Sequence, residues 1–435
     1  MAAPNRPRAT APANLAEVTF RAHGHPQISG SHAKTVEVTR DAEVTGRATC
    51  VLGVRSEHDD RAILRLRGYV EVTIDCAGLR DSFTATMSAF FLGDDSLVFR
   101  RGPGLRGRTL GYDATKGAAD IDRALIGALR DAGAEVDVTI RELGRGDRRG
   151  AVFVVAVPIG NDDDLSPRAR RVLEAADLVL AEDTRRFRDL AVRTGLQVDA
   201  RVVSYHDHNE SERVGDALER VERGARVALV SDAGTPLLSD PGYLLINRAV
   251  AAGYAVSPVP GPSALLAVLS ASGLAVDRFT YAGFLPRRSA ARQTELRGLT
   301  ERGDAFVVHE APRRVAGLLA DVAAVAPEWE LCVGREVTKV FEEFLRGTAA
   351  TLAAQMSAAV DEARGEFTIV VAPPAGLRVA SAAADPVADV QLDRFVRALL
   401  DQGVTPKTIA GALGALPGLS HKEAYARVLA IAARR

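Results

Sequence analysis

Five segments of this sequence carry the residue types from which binding clefts are built. They are PIGNDDD (Pro158 to Asp164), AEDTRR (Ala181 to Arg186), HDHNE (His206 to Glu210), SDAGTPLLSDPGY (Ser231 to Tyr243) and PVPGPSA (Pro258 to Ala264). Glycine lets a backbone approach a ligand closely, and Asp, Glu, His, Asn and Thr supply hydrogen-bonding groups. Neither GxGxxG nor GxxxxGK[ST] occurs in these loops, which disfavours a dinucleotide or P-loop nucleotide site. Asp232, Ala233, Gly234, Thr235 and Pro236 suggest a tight turn whose backbone meets a neutral or cationic ligand, because no Lys or Arg neighbours them in sequence. The same residues also suit an ordinary βα turn.

Each segment follows a strand-like apolar run and precedes a helical pattern: AVFVVAV, LVLAED, RVVSYH, RVALVSDAGTP and AVSPVPGP alternate with helices. Such a βαβα series predicts a largely parallel sheet covered by helices over 151–276, with ligands at the carboxyl ends of its strands. Residues 277–373 continue as a second α/β domain with some antiparallel strands. Residues 15–142 read as a separate α+β domain, in which Val70, Val72, Ile74 and Cys76 alternate with polar partners and Asp120–Ala132 reads as a helix. The Gly/Arg-rich stretch 143–150 and the Pro/Ala-rich stretch 374–389 read as linkers, and 390–435 as a short helical tail.

At 435 residues, with 47% hydrophobic and 26% charged residues, the composition is that of a globular protein with several cores. No apolar run reaches a membrane span, and the N-terminal MAAPNRPRATAPAN has no hydrophobic stretch, so neither a membrane segment nor a secretory signal is expected. Three cysteines give no disulfide framework and fit a reducing, cytoplasmic setting. Net charge is +2 over 1–150, −6 over 151–385 and +3 over 386–435. Any grip on nucleic acid must therefore come from local arginine clusters rather than bulk charge. Only five of the 55 basic residues are lysine, and Lys339 alone falls in 151–385.

PIGN, AEDTR, HDHNE, SDAGTPLLSDPGY, PVPGPSA, GFLP, EAPRR, REVTK and GEFTIVV, in this order, resemble the motifs of the ribosomal small subunit methyltransferase I family. These are tetrapyrrole-methylase-like (class III) S-adenosylmethionine methyltransferases. The resemblance covers about 151–373, and the tail resembles the family's C-terminal extension. It implies two α/β domains, S-adenosylmethionine as methyl donor, 16S rRNA or the small ribosomal subunit as partner, and a homodimer. The implied reaction is 2′-O-methylation of a cytidine ribose in the decoding region. The same fold acting on a corrin or porphyrin precursor, and a non-catalytic ribosome-assembly factor that binds RNA, remain alternatives. Asp162, Arg288 and Arg313 depart from the family's usual residues.

For such a transfer, donor and hydroxyl must be aligned, and a base would help. The catalytic candidates are Asp183, His206, His208 and Lys339. Asp183 could equally cap a helix, as could Asp207 or Asn209 beside the histidines, and Lys339 could pair with Glu336, Glu342 or Glu343. Pro158, Gly160, Asn161, the Asp232–Pro236 turn, Pro260, Gly261, Pro262 and Ser263 are the candidates for holding the donor. Arg185 and Arg186, Arg287 and Arg288 (with Arg292 beyond them), and Arg313 and Arg314 are the candidates for RNA phosphates. No metal is required.

In the front domain HGHPQISGSH, CVLGV and RTLGYDATKGAADIDRALIGAL resemble an archaeal-type domain family of unknown function, which assigns no activity. His23, His25 and His32, with Cys50 or His58, form a weak candidate metal set; surface histidines at a turn are the alternative.

Overall fold

A computed structural model describes residues 15–102, 108–144, 150–206, 209–358, 364–374, 386–413 and 421–432. Most of both expected linkers lies outside them. The chain forms two compact units: Met1–Ala271 with Gly334–Phe344, and Ser272–Val333 with Leu345–Arg435.

The first unit opens with strands β1 (Glu17–His23), β2 (Thr35–Thr39), β3 (Val51–Gly53), β4 (Tyr69–Cys76), β5 (Leu79–Met87), β6 (Ser96–Arg100), β7 (Gly111–Tyr112) and β8 (Glu135–Glu142). They form one mixed sheet in the order β1-β8-β4-β5-β7-β6-β2-β3. Alternation in β4 buries Val70, Val72, Ile74 and Cys76 on one face. The β4–β5 hairpin closes through Ala77 and Gly78 at φ 52° and 78°, the two left-handed residues of a tight two-residue turn. Helices α1 (Asp60–Ile63) and α2 (Arg123–Ala128) complete this part. The second is shorter than the expected Asp120–Ala132. Asp122 breaks the pattern by accepting hydrogen bonds from the N–H groups of Ala124 and Leu125, which starts α2 there.

Next come β9 (Ala151–Val155), α3 (Pro167–Ala175), β10 (Leu178–Ala181), α4 (Thr184–Thr194), β11 (Arg201–Ser204), α5 (Glu210–Glu222), β12 (Arg226–Val230), α6 (Tyr243–Ala251), β13 (Ala255–Val259) and α7 (Ala264–Ala271). The strands form an all-parallel sheet, β11-β10-β12-β9-β13. Helices cover both faces, so adjacent residues of one strand enter different cores: Phe153 packs with Val172 and Leu173, and Val152 with Leu229 and Leu245. That is why these strands read as continuous apolar runs. The chain leaves β9 toward β10 but leaves β12 in the opposite direction toward β13, and such a reversal opens a crevice at the carboxyl ends.

The two sheets of this unit are joined through Arg226, whose side chain is 2% exposed. Its guanidinium donates to the carbonyls of Ala89 (3.0 Å) and Leu64 (2.8 Å) in the front part. Arg67 forms a two-pronged bridge to Asp177, at 2.8 Å on each oxygen, and Asp177 also accepts from the Arg226 backbone N–H. Burial, with repulsion from Arg67, pushes the Arg226 guanidinium down to about 9, while Asp177 opposes this, so it stays charged at neutral pH. Phe90 meets Phe153 edge-on beside this contact, ring centres 5.8 Å apart.

The second unit holds β14 (Phe279–Phe284), α8 (Ser289–Glu301), β15 (Ala305–Glu310), α9 (Pro312–Val325), β16 (Glu330–Arg335), β17 (Glu343–Thr348), α10 (Ala349–Ala358) and β18 (Phe367–Ala372), with sheet order β14-β15-β18-β16-β17. The turn Gly334–Phe344 between β16 and β17 belongs to the first unit. β14 and β15 are parallel, β15 and β18 antiparallel. The tail helices α11 (Pro386–Asp401), α12 (Pro406–Leu413) and α13 (His421–Ala432) bury a small core of their own around Val396, Ile409 and Val428. Among the described residues no helix is long and apolar enough to cross a membrane.

Replacing Arg226 by Ala removes the donor to the part-buried carbonyl of Ala89 and one of the donors to that of Leu64, which Arg67 also meets. Urea unfolding of Arg226→Ala should show a loss of about 1–3 kcal/mol. An unchanged midpoint and slope would mean that the two sheets hold together without it.

Candidate functional site

The loops after the parallel strands meet at one edge. The loop after β9 is tied to the turn after β12 by a two-way backbone bridge: the Val157 N–H donates to the Gly234 carbonyl (2.9 Å) and the Gly234 N–H to the Val157 carbonyl (3.0 Å). Thr235 Oγ1 donates to the carbonyl of Pro262, which brings in the loop after β13. The loop after β10 joins through the Asp183 N–H, which donates to Asp232 Oδ1 (2.9 Å), and through Glu182, which accepts from the Asp232 N–H (3.3 Å). These bonds tie the Asp232–Thr235 turn to Val157 and Pro262 and to the loop after β10; Pro158, Gly160 and Asn161 continue the first of these loops, and Pro260, Gly261 and Ser263 flank Pro262 in the second. Gly234 adopts φ 78°, open to glycine, and a Cβ on Gly261 would lie 3.0 Å from that of Ala156.

This edge is acidic. Glu182, Asp232 and Asp240 share it, and Arg186 pairs with Asp232 at 3.2 Å. A cation therefore does stand near the Asp232 turn, although none is adjacent in sequence. Burial pushes the Asp240 carboxyl up to about 6; the charge of Glu182 adds to this, a Ser231 hydrogen bond opposes it, and Asp232 adds a little more. Its loop is held in uncommon geometry, with Leu237 and Ser239 both at φ 73°. Sequence reasoning passed over Asp240, although it is the second Asp of SDAGTPLLSDPGY.

The catalytic candidates fare unequally. Asp183 caps α4 by accepting from the Arg185 N–H, and the Arg185 guanidinium holds its carboxyl below the usual range. His206, half-buried after β11, has its N–H held by Asn209 Oδ1 (2.9 Å) and its Nε2 3.3 Å from Asn209 Nδ2. Asn209 stands at the N-cap of α5 but makes no capping bond, because its side chain is turned back to His206 and Ser204. His208, with Asp207, lies outside the described residues. Lys339 pairs with Glu336 at 2.9 Å. Its stem packs so closely on the loop after β9 that a Cβ on Gly160 would stand 2.3 Å from Lys339 Cγ. Beside it Thr338 adopts φ 69°, rare for a β-branched residue, and its hydroxyl is buried without a partner among the described residues.

In the second unit Arg287 and Arg288 are exposed after β14, and Arg313 lies near the start of α9, next to Arg314. Arg314 is not free for a phosphate: it donates to Leu285 O (2.7 Å) and pairs with the buried Glu310 (2.9 Å). Arg292 is likewise a core residue, 6% exposed and bonded through Nε to Asp321 at 2.8 Å. Both depart from the sequence expectation, because helical position turned them inward to carboxylates.

Within the weak candidate metal set, His25, His32 and His58 have local partners. His25 Nδ1 accepts from the Gln27 N–H, His32 Nδ1 from the Lys34 N–H, and His58 Nδ1 lies 2.8 Å from Ser56 Oγ. Cys50 instead donates to Glu37. No group of three potential metal ligands, His23 included, occurs among the described residues.

Residues 151–353 match the family described as Tetrapyrrole (Corrin/Porphyrin) Methylases, and residues 20–143 match a domain of unknown function (DUF371). Ribosomal RNA small subunit methyltransferase I of Xylella fastidiosa is 40% identical over 277 residues, covering 63% of this chain and 98% of that protein. The chain belongs to the ribosomal RNA small subunit methyltransferase I family. The Mesorhizobium japonicum relative of the same name is 42% identical over 64% of this chain and 91% of its own length. Solved structures similar to part of the chain include a cobalt precorrin-4 methyltransferase (17% identity, TM-score 0.38, 51% of this chain and 94% of that one). A Thermus thermophilus uroporphyrin-III C-methyltransferase is another (21% identity, TM-score 0.37, 54% and 99%). Family membership makes this an S-adenosylmethionine-dependent methyltransferase with a tetrapyrrole-methylase-like fold. The donor is cationic at sulfur and at its amino group, and an acidic, glycine-lined edge suits it.

The raised Asp240 carboxyl gives a signed pH effect. Its contribution to stability is fully present below its ordinary 3.8 and is lost as pH rises through about 6. Asp240→Asn should therefore melt higher than the parent at pH 7.5, with the gain vanishing near pH 4 in thermal scans. A variant that melts lower at pH 7.5 would contradict the crowding of these carboxylates.

Proposed function

We propose that this chain transfers the methyl group of S-adenosylmethionine to the ribose 2′-oxygen of a cytidine in the decoding region of 16S rRNA. The observation that carries the reading is the acidic, glycine-lined edge of the parallel sheet, in a chain that matches nearly the full length of a small subunit rRNA methyltransferase I. A cationic sulfur beside Glu182, Asp232 and Asp240 is stabilised by their charge, and the Asp232–Thr235 and Pro260–Ser263 backbones offer amides and carbonyls to the rest of the donor.

The reaction is an in-line displacement. The carbon–sulfur bond breaks as the oxygen–carbon bond forms; sulfur keeps the electron pair and becomes neutral, and the hydroxyl proton passes to a base. Asp183, N-capping and held at low pKa, is a poor base. Lys339, paired with Glu336, acts as a fixed cation that orients a phosphate or hydroxyl. The proton falls to the histidine loop, to His206 or His208. Arg185 and Arg186 after β10, and Arg287, Arg288 and Arg313 in the second unit, are the residues assigned to the RNA backbone. A homodimer is part of the same reading.

Purified chain should transfer labelled methyl to small ribosomal subunits lacking the modification, and mass spectrometry should place it on one cytidine ribose. Transfer to a tetrapyrrole precursor and not to rRNA would overturn the reading, and binding without transfer would favour an assembly factor. One of His206→Ala or His208→Ala should lower kcat by on the order of 10²-fold or more, the usual worth of a positioned base. Wild-type turnover in both would remove the histidine loop from the chemistry.

A further inference from the structure

The junction of the front sheet with the parallel sheet holds a cleft of about 370 Å³, and none of Glu182, Asp232 and Asp240 is in its lining. That size lies within the range of small-molecule sites, roughly 300–1,000 Å³. Arg108 comes from the front part, Arg168 and Arg171 from α3; Phe90 and Pro258 form apolar wall, and Asp94 is the one carboxylate in the lining. The three guanidiniums are therefore under-compensated. Arg108 pairs with Asp94 at 3.1 Å, Arg168 donates to the Ser257 hydroxyl at 3.0 Å, and Arg171 has no ion pair among the described residues. All three are exposed, so their forks are open to an incoming anion.

Phe90 is fixed edge-on against Phe153, and a partly exposed, pre-positioned ring is a surface on which a base can stack. The other wall is β13, an end strand of its sheet, whose outer edge pairs with no other strand among the described residues. Cations with planar forks, an immobile aromatic ring and the outer edge of an end strand together match a phosphate joined to a flat, hydrogen-bonding ring.

We propose that this cleft binds a nucleoside phosphate, either as one residue of a single-stranded RNA or as a free nucleotide. The methylase family match begins at residue 151, so Phe90, Asp94 and Arg108 place part of this site outside it. The site does not depend on the methyl-transfer reading and would stand if that reading failed.

The test uses the full chain, a fluorescent ten-residue single-stranded RNA, cytidine monophosphate and inorganic phosphate. Arg168→Ala with Arg171→Ala, and separately Arg108→Ala, should leave the melting temperature unchanged because all three side chains are exposed. The double variant should weaken RNA binding by at least tenfold and reduce the slope of log affinity against log salt by about 0.7 for each phosphate that is no longer held. Cytidine monophosphate competing in the parent and not in the variants would identify a free nucleotide as the source. RNA binding that the variants weaken without such competition would identify an RNA residue. Binding of both probes unchanged in all variants would overturn the proposal, as would inorganic phosphate competing as well as the nucleotide.

Discussion

Three carboxylates crowded at one edge of a sheet repel one another, and much of the local architecture at that edge serves to hold them there. Asp232 is held by the backbone N–H of Asp183 and by Arg186; Glu182 accepts the Asp232 N–H; Ser231 supports Asp240. These donors come from different connections of the sheet, so the cluster exists only when β10 and β12 lie side by side with their loops in register. The left-handed residues around Asp240 are a further cost of placing it there. A cation held beside these carboxylates would relieve the repulsion.

Much of the scaffold was legible because its strands are buried on both faces. A run such as Ala151–Val155 has no polar face to disguise, and the loops that follow the runs carry their Gly, Pro and acidic residues openly. Which member of a cluster does what was less legible. Arg287 and Arg314 look alike in sequence, yet Arg314 lies one turn beyond the buried Glu310 and is drawn onto it. Asp240 stands inside SDAGTPLLSDPGY, but part of the rise in its carboxyl comes from Glu182, 58 positions away, and no local pattern encodes that proximity. The histidines of the front part are near one another along the chain, which made them look like a ligand set. His25 and His32 instead each bond to their own local turn, which spacing alone does not reveal.

The front sheet packs on the parallel sheet within one compact unit. A single buried guanidinium answers carbonyls from the turns that follow α1 and β5, and these are acceptors no apolar side chain could satisfy. Arg226 opens β12, at the amino end of the strand whose carboxyl end leads into the Asp232 turn. Front domain and acidic edge are thus attached to opposite ends of one fully buried five-residue strand. The Arg226 contact therefore lies at the opposite end of β12 from the Asp232 turn.

Charge in this protein works by placement rather than by total. The stretch 151–385 is net negative, yet it supplies both the carboxylates of the crevice and the α3 guanidiniums of the junction cleft. Exposed charges separated by more than about 8–10 Å are largely screened at physiological salt, so a ligand responds to the charges that line its own site rather than to the total. A polyanion meeting this surface would be repelled at the crevice unless arginines beside it carried the backbone. Arg186 illustrates the arrangement: one prong engages Asp232 while the side chain remains 64% exposed, neutralising part of the acidic edge and still offering donors outward. In the proposed reaction a donor cation and an acceptor polyanion would each meet the opposite charge at this edge.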